Sequence, residues 1–229
     1  MATRPVFRST STTSIPFSET VEVDFEFFSG FSLAQKQRSI ASLHAAYALD
    51  FPGDRVLEVS SRSTEPLGVA MSAFNLMIET SKRAFSVECA FQGSKVFELG
   101  GPYSDLLDSD SHAAKKDERL RTSGRVVGFR FHGVDYPTEP KDLFYNWIYA
   151  NALVRQGNLL AQACAYDAFT DIEFNPAKSI NCQARAAAIA VGLSRAGKLE
   201  EALASVSAFE GLVYGSAGEA PSESQPALF

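Results

Sequence analysis

Three polar side chains with complementary chemistry recur at helical spacing in residues 84–98, AFSVECAFQGSKVFE. Glu88, Gln92 and Lys95 stand at positions i, i+4 and i+7, so they would share one face of a helix. The remaining arc is largely apolar and consists of Val87, Ala90, Phe91, Ser94 and Phe97. A carboxylate, an amide and an amine therefore form a narrow polar stripe on a helix that is otherwise suited to burial.

This stripe has two interpretations. A polar stripe on a helix is often simply the face that water covers. If it borders a pocket instead, loss of solvation lowers the pKa of Lys95, and the free amine becomes a nucleophile with Glu88 as its proton-transfer partner. The second interpretation predicts that Glu88 and Lys95 both line a cavity.

The elements that must position this stripe are visible as patterns along the chain. Apolar and acidic residues alternate strictly from Val21 to Phe27, which predicts a half-buried strand. Ser32 followed by Gln35 has the form of a capping box, and the periodic residues after it predict a helix over about 33–49.

Further segments predict a mixed architecture. Residues 55–60, 68–79 and 125–132 are typical of strands, and 85–99 is predicted to be a helix that Gly100-Gly101-Pro102 ends. The C-terminal third, including the alanine-rich stretch 182–197, is predicted to be helical. The fold class expected is α+β, a single compact, helix-rich domain over 20–212 with a small β-sheet. We expect 1–19 and 213–229 to be flexible, because both are rich in small and polar residues without periodicity.

Composition excludes several classes of protein. With 45% apolar and 21% charged residues the chain is typical of a globular protein, and no stretch resembles a signal peptide or a membrane span. We therefore expect a cytoplasmic protein with no membrane partner. Three scattered cysteines, Cys89, Cys164 and Cys182, form no disulfide framework or zinc motif.

Charge is distributed unevenly along a chain whose net charge is −6. Between Lys115 and Arg130 six basic residues stand against two acidic ones. A solvated face with internal ion pairs explains this segment. A local edge that contacts phosphates on an otherwise acidic body explains it as well.

Residues 86–95, SVECAFQGSK, resemble the S/T-V-E-H-x-F-Q-x-x-K signature of the NADAR superfamily, and 72–76, SAFNL, resemble its F-S-N-F-Y element. The two elements have the order and separation that the family has. Four further segments are similar to the branch that accompanies DarT1 DNA ADP-ribosyltransferase toxins as antitoxin: FSGFSLAQKQRSIASLH, LEVSSRSTEPLG, KVFELGGPYSDLL and AFTDIEFNPAKSINCQA. The likeness covers roughly residues 20–210.

Two departures from the family pattern limit what can be transferred. Cys89 stands where the wider family has histidine, so no role of that imidazole applies here. The family's Trp-Gly element before its last helix is not visible, and the region from Asp171 to Asn181 takes its place.

The resemblance implies removal of ADP-ribose from the exocyclic amino group of guanine in DNA, with ADP-ribose as product. Glu88 and Lys95 are then the catalytic residues: Lys95 attacks the anomeric carbon to form a ring-opened Schiff base, or it only binds substrate while Glu88 activates water. Partners are ADP-ribosylated DNA and a DarT1-type toxin. No cofactor or metal is expected, because His44, His112 and His132 lack ligands at metal-site spacing.

Substrate contacts are expected from further polar and aromatic residues. They are Lys36 at the pyrophosphate, Phe74 stacked on a base, Asn75 hydrogen-bonded to the substrate, Gln92, Trp147 and Asn181. Four of them have a plain structural alternative: a solvated lysine at Lys36, core packing of Phe74 or Trp147, and an N-cap at Asn181. Two other functions remain open, an antitoxin that neutralises its toxin by binding alone and an N-glycosidase of small riboflavin-pathway intermediates.

Overall fold

The strands of the computed structural model, which describes residues 1–10 and 16–215, form three separate sheets. They are β1 Ala2–Ser9, β2 Ser18–Phe25, β3 Val56–Glu58, β4 Met77–Glu79, β5 Ala84–Ser86, β6 Lys95–Phe97, β7 Val126–Phe131, β8 Val134–Tyr136 and β9 Ala168–Thr170. The helices are α1 Leu33–Asp50, α2 Pro66–Ala70, α3 Val87–Gly93, α4 Ser111–Lys116, α5 Arg119–Thr122, α6 Leu143–Arg155, α7 Leu159–Ala163, α8 Gln183–Arg195, α9 Leu199–Leu203 and α10 Val206–Tyr214, with a 3₁₀ helix at Ser104–Asp108. The predicted α+β class is confirmed.

The largest sheet has the order β2-β1-β9-β3, and β3 and β9 are parallel while the other pairs are antiparallel. Adjacent residues of a strand face opposite sides of a sheet, and here each side has its own apolar cluster. Val6 and Ala168 pack with α1 on one face, whereas Phe7 and Phe169 belong to the main core, which also contains α6 and α8. The sheet therefore forms the middle layer between α1 and the α6/α8 pair.

The two smaller sheets flank α3. β4 and β5 form an antiparallel pair, and β5 leads directly into α3 at Ser86, whose hydroxyl accepts a hydrogen bond from Cys89 N at 3.1 Å. β6 follows α3 after a single residue and pairs with β7, which pairs with β8. Both ends of α3 are thus fixed by strands.

The N-terminal prediction is wrong for residues 2–9, which form β1 in place of a flexible segment. Proline has no N–H to donate to a neighbouring strand. Pro5 is tolerated because, within the described residues, β9 pairs with Phe7 and Arg8 of β1 and not with Pro5, which has β2 on one side alone. Residues 11–15 and 216–229 lie outside the described residues, as does most of the predicted C-terminal tail, whose residues 213 and 214 belong to α10.

The middle of the chain also differs from its prediction. The predicted helix 85–99 is only α3, flanked by β5 and β6, since Gly93 weakens the helix and the Lys95–Phe97 segment pairs with β7. The predicted β-rich stretch 68–79 contains the end of α2, which begins at Pro66, and only β4 as a strand. The helices predicted over 33–49 and 182–197 and the strand over 125–132 are confirmed, while β9 interrupts the predicted C-terminal helices.

Across residues 1–10 and 16–215, the helices are too short or too polar for any of them to traverse a bilayer.

We expect Gly192→Ala in α8 to destabilise the protein, although alanine normally favours a helix by about 1 kcal/mol. A Cβ atom at Gly192 would lie 2.0 Å from the backbone oxygen of Phe17, so helix and chain would have to separate. The expected loss is about 1–3 kcal/mol of unfolding free energy in urea titration. Gly53→Ala, where a Cβ meets no described atom within 4 Å, is the control. Equal stabilities of the two variants would contradict this packing.

Candidate active site

Glu88, Gln92 and Lys95 form one hydrogen-bonded chain at the wall of a cavity. The Lys95 amine donates to Gln92 Oε1 at 2.7 Å, and Gln92 Nε2 donates to Glu88 Oε1 at 2.9 Å. Glu88 and Gln92 are 5% and 7% exposed, which rules out the interpretation of this stripe as a solvated helix face. The prediction that Glu88 and Lys95 line a pocket is confirmed.

Lys95 reaches this position from a strand. It is the first residue of β6, after Ser94 caps α3, and its amine lies 4.6 Å from the centre of the Phe91 ring. Burial lowers the pKa of Lys95 to about 8, with the positive charge of Lys115 acting in the same direction and the negative charge of Glu88 opposing it. About one-tenth of such amines are neutral at pH 7. Part of the Lys95 population therefore carries a neutral amine near neutral pH.

Lys115 is a part of this site that the sequence did not indicate. Its amine lies 3.9 Å from Glu88 Oε1 and 5.0 Å from the centre of the Phe74 ring. The edge of the His112 ring also meets Phe74, at 4.6 Å between centroids. α4 thus supplies a cation and an imidazole around an aromatic ring at the cavity.

Another part of the cavity lining comes from the residues that follow β9. Asp171 Oδ1 accepts a hydrogen bond from Glu173 N at 3.0 Å, and the Gln183 amide also hydrogen-bonds to the Asp171 carboxyl group. Gln183 Oε1 in turn accepts from Ala73 N at 2.7 Å, which joins this wall to the 72–76 segment. Burial raises the pKa of Asp171 above its usual range, and the negative charge of Glu58 adds to the effect. Asp171 is a second titratable group at the cavity.

The cavity has a volume of about 480 Å³, which is within the range of about 300–1,000 Å³ typical of small-ligand sites. Ser72 Oγ and Asn181 Oδ1 are buried at its wall, and within the described part of the chain neither has a hydrogen-bond partner. Phe174 and Tyr145 add aromatic surface. The lining thus combines aromatic faces with polar groups that are open to a ligand.

Five of the eight predicted site residues meet at this cavity: Phe74, Glu88, Gln92, Lys95 and Asn181. The lining does not include Lys36, Asn75 or Trp147. The Lys36 amine lies 3.0 Å from Glu173 Oε1, so Lys36 reaches the rim only through that carboxylate.

Asn75 and Trp147 are directed elsewhere. Asn75 is exposed and donates to the carbonyl of Val69 at 2.9 Å. Trp147 is 3% exposed and its ring packs against Tyr136 in the main core, 5.4 Å between centroids. The core-packing interpretation of Trp147 is therefore the correct one, and contact with a ligand in this cavity is not available to it.

The basic segment is largely an ion-paired surface. Arg119 pairs with Asp105 and Asp117, Arg125 with Glu98, and Arg130 with Asp135. Within residues 1–10 and 16–215, Lys116 and Arg121 are exposed and make no ion pair. These two side chains are what remains of the predicted phosphate-contacting edge, apart from Lys115 in the cavity.

Groups of three or more histidine, cysteine, aspartate or glutamate residues suited to a metal ion do not occur in the described part of the chain. A cavity lined by a buried amine with a lowered pKa and a carboxyl with a raised one is typical of a ligand site that carries out chemistry. The class defined by fold and site is thus an α+β protein with a partly buried lysine of lowered pKa and an aspartate of raised pKa at a ligand-sized cavity.

The family model of the DarT1-associated NADAR antitoxins matches residues 2–223, and the chain belongs to this family. The family description associates it with a DarT1 toxin. A comparison with curated proteins gives no match. The resemblance seen in the sequence is therefore confirmed over almost the whole chain.

We expect two variants to change the pKa of Lys95 in opposite directions. Glu88→Gln removes a negative charge that raises it, so the value should fall below about 8, and Lys115→Gln removes a positive charge that lowers it, so the value should rise. The pH dependence of Lys95 acylation, followed by peptide mass spectrometry, measures both. Lys116→Gln, the exposed neighbour of Lys115, is the matched control. Shifts in the same direction, or an ordinary lysine pKa in the unmodified protein, would contradict this electrostatic description.

Proposed function

We propose that this protein is an N-glycosidase that removes ADP-ribose from the amino group of guanine in DNA and acts in this way as the antitoxin of a DarT1-type toxin. The observation that carries the proposal is the Lys95 amine, whose pKa is lowered to about 8 and which is hydrogen-bonded through Gln92 towards Glu88 at a ligand-sized cavity. Family membership supplies the association with the toxin. The resemblance to the toxin-linked NADAR branch supplies the bond that is cleaved.

The first step displaces guanine. The lone pair of the neutral Lys95 amine forms a bond to the anomeric carbon while the bond from that carbon to the guanine nitrogen breaks, and the nitrogen keeps the bonding electrons. A purine amino group leaves poorly as an anion, so an acid must give it a proton. Asp171 is suited to this role, because its raised pKa keeps it protonated at neutral pH and it lines the same cavity.

The following steps release ADP-ribose. Lys95 gives a proton to Glu88, the ribose ring opens as its oxygen takes that proton, and the carbon–nitrogen bond to Lys95 becomes an imine. Water adds to the imine carbon and passes a proton to Asp171, which restores the acid. Cleavage of the carbon–nitrogen bond then returns the Lys95 amine and the aldehyde form of ADP-ribose, so the net change is the consumption of one water molecule.

Binding groups are available on both sides of the amine. The Phe74 ring offers a stacking surface for a nucleobase, and Lys115 beside it offers a positive charge to a phosphate. Ser72 Oγ and Asn181 Oδ1, which lack partners within the described residues, are suited to ribose hydroxyl groups. These contacts would hold the anomeric carbon within reach of Lys95.

We expect Lys95→Ala to abolish release of ADP-ribose from guanine-ADP-ribosylated DNA, because the nucleophile is lost. Lys95→Arg should not restore activity, since a guanidinium stays charged and forms no imine. A loss of at least about 10³-fold in kcat/KM, measured by chromatography of free ADP-ribose, is expected for both. Circular dichroism and thermal melting serve as folding controls.

Three other outcomes would overturn the proposal in different ways. Substantial activity of Lys95→Arg would favour direct attack by water with Glu88 as base. Protection of cells from the toxin by Lys95→Ala would indicate an antitoxin that acts by binding. Turnover of small riboflavin-pathway intermediates alone would keep the N-glycosidase chemistry and change its substrate.

The basic segment gives a separate expectation for DNA. Neutralising Lys116 and Arg121 should weaken binding of ADP-ribosylated DNA and reduce its dependence on salt, because fewer counterions are released. Hydrolysis of an ADP-ribosylated guanosine should be unchanged, since neither residue lines the cavity. Arg125→Gln, which removes a cation already paired with Glu98, is the control. An unchanged salt slope would show that this surface does not contact DNA.

A further inference from the structure

A second carboxyl group lies behind the wall that carries Asp171. Glu58 is the last residue of β3, is 2% exposed and is absent from the cavity lining, so a ligand in the cavity does not meet it. Its oxygens accept three hydrogen bonds, from Ser60 Oγ at 2.6 Å, Thr170 Oγ1 at 2.6 Å and Ile172 N at 2.9 Å. A buried acidic group with this many partners calls for a functional explanation.

The directions of these hydrogen bonds can be assigned. The Ser60 hydroxyl accepts from Arg62 N at 3.1 Å and keeps its own hydrogen available for Glu58. Ile172 contributes a backbone N–H, which can only donate. Ile172 is therefore a donor to Glu58 regardless of its protonation, and the Ser60 hydroxyl is a second donor to the ionised form.

The third partner belongs to a longer chain that starts at His44. His44 Nε2 lies 2.8 Å from Thr170 Oγ1, and burial lowers the pKa of His44 to about 4, so its ring is neutral at pH 7. With hydrogen on Nε2, His44 donates to Thr170 and the Thr170 hydroxyl donates to Glu58. Burial raises the pKa of Glu58, whereas the three donors aimed at its carboxyl group oppose this effect by stabilising the ionised form.

Asp171 lies between two of these donors in the chain, since Thr170 precedes it and Ile172 follows it. The negative charge of Glu58 also raises the pKa of Asp171, so the two carboxyl groups interact and placing a negative charge on both is unfavourable. Asp171 has two donors, Glu173 N and the Gln183 amide, against three at Glu58. The proton of the pair is thus better placed on Asp171, which is the one at the cavity.

We propose that Glu58 is a positioning residue that holds a proton on Asp171 and so presents Asp171 to the cavity as a hydrogen-bond donor and acid. This inference rests on the proposed function, where Asp171 gives its proton to the leaving guanine nitrogen. Glu58 acts only through Asp171, by supplying the fixed negative charge that makes a second ionisation costly.

The other ionisable groups around Asp171 do not supply this charge. They are Lys115 from α4, Tyr145 and Tyr149 from α6, Cys182 before α8, and Glu173 on the same segment. Burial raises the pKa of the two tyrosines and of Cys182, so these three are neutral near pH 7. Lys115 favours ionised Asp171 and therefore opposes Glu58. Glu173 is itself paired with the Lys36 amine at 3.0 Å.

Carbon-13 NMR titration of carboxyl-labelled aspartate tests this directly, with Asp171→Asn used to assign the resonance. In the unmodified protein Asp171 should titrate near or above neutral pH. In Glu58→Gln its midpoint should fall by on the order of one pH unit or more. Glutamine preserves the size of Glu58, and its amide can donate to Thr170 if His44 takes its other tautomer and accepts from the Thr170 hydroxyl.

Two further variants make the result specific. Glu173→Gln removes a carboxylate two residues from Asp171 and should shift the midpoint much less, because that charge is partly exposed and paired with Lys36. Thr170→Val removes one donor to Glu58, which moves the shared proton towards Glu58, so the Asp171 midpoint should fall again. If Glu58→Gln does not fold, the Asp171 midpoint in Thr170→Val tests the proposal in its place.

A kinetic measurement links the titration to the reaction. The high-pH limb of kcat/KM should move to lower pH in Glu58→Gln by the same amount as the NMR midpoint. The proposal is overturned if folded Glu58→Gln and Thr170→Val leave the Asp171 midpoint unchanged, or if Glu173→Gln shifts it equally. The NMR titration needs no substrate, so a protein without glycosidase activity would refute the proposed function while the titration still decides the role of Glu58.

Discussion

Desolvation of the Lys95 amine is the interaction on which the proposed chemistry depends, because a fully charged lysine has no lone pair to offer. Glu88 opposes it, since a nearby negative charge favours the ammonium form. Gln92 lies between the two groups, with its amide oxygen towards the amine and its amide nitrogen towards the carboxylate. The amide links Lys95 to Glu88 through two hydrogen bonds without a direct ion pair. The effect of burial on the pKa of Lys95 then outweighs the attraction of Glu88, and the pKa is lowered.

The fold explains why this arrangement is stable. α3 begins directly after β5 and ends one residue before β6, so Glu88 and Lys95 are fixed by strands at both ends of a short helix. Glu88 N also donates to Ala73 O at 2.9 Å, which ties the start of α3 to the segment that carries Phe74. Asp171 approaches from the end of β9 in the large sheet. The cavity is therefore formed where three pieces of chain meet, and hydrogen bonds through Ala73 join them.

The sequence predicted the central stripe through reasoning that was only partly correct. The helical wheel placed Lys95 on the face of Glu88 and Gln92, whereas the helix ends at Gly93 and Lys95 reaches the same amide from the first position of a strand. Lys95 stands only two residues beyond the end of α3 and its long side chain reaches the Gln92 amide, so the grouping survived the error. The N-terminal strand β1 was missed because its sequence shows no alternation: Pro5, Val6 and Phe7 are buried in succession among polar residues, since both faces of the sheet are covered.

Asp171, Lys115 and Glu58 could not be assigned to the site in this way, because their contacts with it are long-range. Lys115 stood in a run of basic residues whose other members mostly pair with acidic neighbours, so nothing in its local pattern distinguished it. The one signal for Asp171 was its position in the segment that replaces the family's Trp-Gly element. Conversely, Trp147 was a plausible ligand contact by residue type, and only packing against Tyr136 shows that it belongs to the core.

Trapping the covalent intermediate tests the central claim most directly. Borohydride added while the protein turns over guanine-ADP-ribosylated DNA should reduce the imine and leave an ADP-ribose adduct that peptide mass spectrometry locates on Lys95. Catalytic turnover without any adduct on Lys95, at borohydride concentrations that do not stop the reaction, would contradict attack by this amine.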